Sequence, residues 1–269
     1  MSFVGMKKEY VETNMGKVAV YKKNLDSDKQ TLLFLHGVFL SHNIWSDYVA
    51  AFEKQYNVIA LDWFGHGESD SPAKGWAIED SVSALQQVID ALKLSNVILV
   101  GHSWGGMASL RYSDKHAEKV KALVLFNTPM GELSPKVKLL HRLQMMAMPF
   151  KGFYGKQAAS SIYSEKSLSQ NSNWSEEVVN HFKSRSVEDN KRLVKAVLLH
   201  SKDTFNLVKR NKAPTLTVVG KEDYVLSTYK EKGSPEFLNS VKVMEGGHTS
   251  SREYSQQGIQ IMQQFLSEL

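Results

Sequence analysis

The chain has no cysteine. Disulfides and thiolate metal sites are therefore excluded. It has no apolar run near the roughly 20 residues that span a membrane. Its first ten residues, MSFVGMKKEY, hold nothing resembling the apolar core of a signal segment. The expected compartment is cytoplasmic. The sequence also lacks blocks of one charge. Lys and Arg number 33 against 28 Asp and Glu, a formal charge of +5, and the lysines are scattered. No nucleic-acid reading motif accompanies them, so a solvated basic surface is expected and a nucleic-acid partner is not. Internal repeats and low-complexity linkers are missing too, and no feature specifies an oligomeric state.

What is present is an alternation of strand and helix patterns. EYVETNMGKVAVYKK reads as a hairpin turning at Asn14-Met15-Gly16. TLLFLHG, YNVIALDW, NVILVGHS and KALVLFNTP read as buried strands. Helical patterns at Ile44–Phe52, from Ile78, and from about Gly105 to Lys115 separate them. Continuous apolar strands joined by helices specify an α/β fold, with a mostly parallel central sheet flanked by helices. From Gly131 to about Ser201 no strand is expected. KVKLLHRLQMMAMPF, EEVVNHF and NKRLVKAVLLH look helical. Strands resume at PTLTVVG and at SVKVMEGG (Ser240 to Gly247), and Ile259–Leu266 suits a closing helix. The expected organisation is a core of residues 1–130 and 202–269, interrupted by a helical insertion over 131–201.

VGHSWGGMA sets Ser103 between Gly101 and Gly105, after the strand NVILV and before a helix. That is the context in which G-x-S-x-G forms a nucleophile elbow. A serine hydroxyl needs a base to take its proton. Of the nine histidines, His248 alone follows the last strand and precedes the last helix. The acid should end a strand, and Asp223 lies three residues beyond PTLTVVG. Asp203 is the rival, with no strand before it. The alternative position one strand earlier falls near Asn127, which carries no charge. His102 should point away from the nucleophile, and His141, His181 and His200 are expected to have surface or packing roles. Two backbone N–H groups are needed for an oxyanion, and Trp104 and Val38 are the candidates.

Taken together, LHG, LDWFGHGESD, VGHSWGGMA, VVGKEDYVL and EGGHTS, in this order, resemble the α/β-hydrolase fold superfamily, in its serine-nucleophile, esterase-like branch. LDWFGHGESD is similar to that family's D-x-x-G-x-G-x-S segment. The resemblance gives Asp62, His66 and Ser69 a structural role. It implies a helical cap over the active site, no cofactor and no metal. Relatives that cleave haloalkanes or epoxides carry aspartate where this chain has Ser103. The implied activity is hydrolysis of a carboxylic ester of a small-molecule acyl substrate through Ser103, His248 and Asp223. Amide, thioester, lactone and carbon–carbon bond hydrolysis stay open, as does a slow-turnover ligand receptor. HRLQMMAMPF is the most apolar part of the insertion. Met145 and Met148, with Phe39 and Trp104 beneath, are expected to line the pocket.

Overall fold

The computed structural model describes residues 3, 5–23, 25–200, 202–230 and 241–269. Ser201 and Ser240, expected to close the insertion and open the last strand, lie outside the described residues.

The chain opens with a hairpin, β1 (Lys7–Thr13) and β2 (Gly16–Lys22), whose antiparallel register closes with Thr13 opposite Gly16. Then β3 (Thr31–Leu35), α1 (Ser46–Phe52) and β4 (Asn57–Leu61) alternate. They are followed by α2 (Ile78–Ala91), β5 (Val97–His102), α3 (Trp104–Lys115) and β6 (Val120–Phe126). Every residue of β3, β4 and β5 is buried. Apolar runs without polar alternation are what strands need when helices cover both faces.

A helical stretch follows β6. It begins with a two-residue strand, β7 (Glu132–Leu133). It continues through α4 (Pro135–Gln144), α5 (Lys151–Ile162), α6 (Glu165–Gln170), α7 (Ser172–Lys183) and α8 (Val187–Val194). A π turn, Lys195–Leu199, ends it. The chain then returns through α9 (Phe205–Arg210), β8 (Thr215–Gly220), α10 (Tyr224–Ser227) and β9 (Tyr229–Lys230). β10 (Val241–Met244), α11 (Ser250–Glu253) and α12 (Ser255–Ser267) complete it.

Among the described residues the main sheet has the order β1-β2-β4-β3-β5-β6-β8-β10. It is parallel from β4 to β10 and antiparallel in the β1-β2 and β2-β4 pairs. α1 packs on α12, while α3 packs on α2 and α9. The strand-free expectation for the insertion needs one correction. β7 pairs antiparallel with β9, tying the start of the helical stretch to the loop after β8. Two residues are too few to leave a period-2 pattern in a sequence. None of the described helices is long and apolar enough to cross a membrane.

Candidate active site

Strand β5 delivers the chain to Ser103 at the C-terminal edge of the sheet, and α3 leaves at once. Ser103 holds φ 50° and ψ −113°, a region that L-residues rarely occupy. The turn is tolerated because its neighbours are glycines. A Cβ on Gly105 would lie 2.1 Å from the Leu35 carbonyl oxygen, and one on Gly101 would lie 2.5 Å from the Gly106 nitrogen. Ser103 N–H donates to the Phe126 carbonyl at 2.9 Å, fixing the elbow to β6.

The three residues singled out in the sequence meet here. Ser103 Oγ is 2.9 Å from His248 Nε2, and His248 Nδ1 is 3.0 Å from both carboxylate oxygens of Asp223. All three side chains are buried. Burial pushes the Asp223 carboxyl up. The charge and hydrogen bond of His248, with hydrogen bonds from Leu226 N–H and Asn127, outweigh that and hold it below its ordinary value. Asp203 is elsewhere. Its Oδ1 accepts from Phe205 N–H at 2.7 Å, at the start of α9.

Two supports went unseen in the sequence. Asn127, read there only as unable to carry charge, donates to Asp223 Oδ2 at 2.7 Å and accepts from Ser250 Oγ at 2.7 Å. His102 Nε2 donates to the His248 carbonyl at 2.7 Å, pinning the backbone of the base. Burial pushes His102 down to about 3, so the ring is neutral and its Nε2–H remains a donor.

The LHGVF loop after β3 faces the elbow. Phe39 N–H donates to His66 Nε2 at 3.0 Å. Burial, with the neighbouring His181 and His36 rings, drives His66 well below its ordinary range, so Nε2 remains an acceptor. Asp62 accepts from His42 N–H at 2.8 Å and from its Nδ1 at 2.9 Å, and Ser69 Oγ donates to the Asp62 carbonyl. Asp62, His66 and Ser69 therefore brace the loops rather than face Ser103.

Above Ser103 and His248 lies a cavity of about 180 Å³. Val38, Phe39 and Met107 wall it from below, and Leu140, Tyr154 and Ile162 from the helical stretch. The expected lining needs correction. Met145 and Met148 are buried and are not among its walls. Both side chains belong to the buried hydrophobic core. Trp104 is also absent from the walls. Its indole donates to Ser81 Oγ and stacks between Trp63 and Trp76, with centroids 5.0 and 5.3 Å away. His141, expected at the surface or in packing, lines the cavity instead. Among the described residues no group of three His, Asp or Glu side chains is placed to hold a metal.

A parallel sheet with an elbow at β5 and a histidine after the last strand defines an α/β hydrolase architecture. The chain belongs to the α/β hydrolase fold family, which matches residues 30–223. It is 30% identical over 128 residues to epoxide hydrolase 4 of Mus musculus, covering 47% of this chain and 36% of that protein. It is 34% identical over 104 residues to a putative 2-succinyl-6-hydroxy-2,4-cyclohexadiene-1-carboxylate synthase of Bacillus subtilis, covering 38% of each. The chain thus spans about a third of the length of these curated relatives. Its fold is similar to an enol-lactonase from Burkholderia xenovorans, with TM-score 0.83, 18% identity, and 96% and 100% of the two chains covered. It is also similar to a carboxylesterase from Bacillus subtilis, with TM-score 0.79, 19% identity, and 97% and 91% covered.

Proposed function

We propose that the protein is a serine hydrolase that cleaves a carboxylic ester, or a related acyl bond, through an acyl-enzyme. The observation that carries this reading is the unbroken relay of 2.9 and 3.0 Å from Ser103 through His248 to Asp223. Similarity to epoxide hydrolase 4 covers less than half of the chain. Serine in place of the aspartate that the family resemblance gives epoxide hydrolases favours acyl chemistry here.

His248 Nε2 takes the proton of Ser103 Oγ as the oxygen attacks the acyl carbon. Asp223 accepts the Nδ1–H, fixing the tautomer that leaves Nε2 free and stabilising the imidazolium that forms. The tetrahedral oxyanion is held by the N–H groups of Trp104 and Val38. Trp104 is the first residue of α3, so its N–H has no intrahelical acceptor. In the facing loop, Phe39 N–H is already committed to His66, which supports Val38 as the second donor. The intermediate collapses, and His248 passes its proton to the leaving oxygen. Water then enters by the same route and releases the acid.

The helical stretch 131–201 serves as the cap in this reading, since α4, α5 and the π turn supply walls facing Ser103. Among the described residues no Lys, Arg, Asp or Glu lines the cavity. A charged acyl group would lose its hydration there without a partner, so the substrate is an uncharged acyl compound with an apolar chain. Hydrolysis of a p-nitrophenyl ester series by the protein and by His248→Ala tests the reading. The wild-type protein should turn over neutral esters and the variant should lose that activity. Equal rates would overturn it.

A further inference from the structure

Helix α4 has no buried residue. At about 100° per residue, Val137, Leu140, His141 and Gln144 fall on one side, and all four line the cavity. Leu139 and Leu143 fall on the adjacent side, with Met146 in the turn that follows. They are 55%, 55% and 74% exposed. Phe150 and Phe153, at the start of α5, are 71% and 58% exposed. Five large apolar side chains thus stand in water within fifteen residues of sequence. Scattered exposed apolar residues are ordinary, but a run this dense marks a contact surface.

The charge within this run is of one sign. Residues 135–156 contain Lys136, Lys138, Arg142, Lys151 and Lys156, and no Asp or Glu. Lys138 reaches Glu132 at 3.7 Å, and Lys151 donates to the carbonyls of Lys183, the last residue of α7, and of Arg185 beyond it. Lys136, Arg142 and Lys156 are exposed. The surface also adjoins the cavity mouth, because Leu140 and Tyr224 both line the cavity and are 50% and 67% exposed.

We propose that this face docks onto an anionic phospholipid bilayer. Leu139, Leu143, Met146 and Phe150 would enter the acyl boundary, and Lys136, Arg142 and Lys156 would meet the headgroups. An apolar side flanked by Lys and Arg, on a helix too short and polar to span, is the composition of an interfacial anchor. A protein partner matched to this face would need acidic groups around an apolar centre. The net charge of +5 favours the extended anionic plane, which attracts every surface lysine within a Debye length.

The test is independent of the hydrolase reading, because it is run on Ser103→Ala protein. Co-sedimentation is measured with vesicles of phosphatidylcholine alone and of phosphatidylcholine mixed with phosphatidylglycerol. The protein should bind the mixed vesicles. The triple change Leu139→Ser, Leu143→Ser, Phe150→Ser should weaken binding at least about tenfold while keeping the circular dichroism spectrum. Lys136→Glu with Arg142→Glu should abolish the preference for phosphatidylglycerol, and it keeps the proposal falsifiable if the triple variant fails to fold. Failure of the unaltered face to bind, or binding untouched by both sets of changes, overturns the proposal. So does a dimer in sedimentation velocity that the triple change dissociates, since the face would then be covered by a second copy.

Discussion

Ser103, His248 and Asp223 come from three separate strand ends, and each has a neighbour that fixes it. Asp223 is held from two sides, by Leu226 N–H at 2.9 Å and Asn127 at 2.7 Å. Asp223→Asn should therefore leave the fold intact and cut kcat by about 10⁴, because an amide does not fix the imidazole tautomer. Asp203→Asn should leave kcat near wild type, as its carboxylate accepts from Phe205 N–H at the start of α9. Steady-state kinetics on both variants checks this. These three positions were legible in the sequence because strand, turn and helix patterns flank each of them. Met145 and Met148 were misassigned for a definable reason. Composition marks a stretch as apolar and adaptable, but it does not say which helix face meets the cavity. Met148→Ala should cost about 2–5 kcal/mol of stability and leave the acyl-chain preference unchanged. Ala158→Leu, which adds volume to a cavity wall, should shorten the preferred acyl chain. A chain-length profile of kcat/KM on both variants, with urea unfolding, distinguishes the two roles.

At the scale of elements, the segments read from sequence were the amphipathic or wholly apolar ones. Helices α5 and α6 lie inside the expected helical insertion but were not picked out individually. In α5, Gly152 and Gly155 and a polar tail at Ser160 and Ser161 dilute the helical period. The structure uses Gly155 for close approach. A Cβ there would lie 2.7 Å from Val179 Cα on α7. Strands β7 and β9 were invisible because two-residue strands have no period. The elbow is the element on which most depends. Gly105→Ala sets a methyl group against the backbone of β3 and should destabilise by about 3 kcal/mol or more. Gly152→Ala is the contrast. Its nearest neighbour would be Lys183 Cε at 3.8 Å, so this helical position should gain about 0.5–1 kcal/mol. Urea unfolding of the two variants should move in opposite directions.

For the whole molecule, the mostly parallel sheet flanked by helices follows from apolar strands alternating with helices, and this was the most legible level. Less legible was how many histidines the fold buries. His36 and His102 are pushed down by burial, to about 4 and about 3, and His66 and His181 lie well below their ordinary range. Asp62 and His42 face His36, and Asp62 is itself held near about 2. Each of these histidines is neutral when folded and titrates near 6.5 when unfolded. Their contribution is complete above about pH 6.5 and is lost as pH falls toward the folded values. Between those limits the unfolded chain binds more protons, so stability should rise with pH, by up to about 1.4 kcal/mol per unit for each histidine. Urea unfolding at pH 7, 6 and 5 checks this, and a flat profile would contradict it. The central claim concerns one oxygen atom. The most direct measurement is reaction with a fluorophosphonate, followed by intact mass and peptide mapping of the protein and of Ser103→Ala. The account predicts one adduct, on the peptide containing Ser103, and none in the variant, whose kcat should fall by about 10⁴-fold or more. An adduct on another residue, or equal labelling of folded Ser103→Ala, would contradict it.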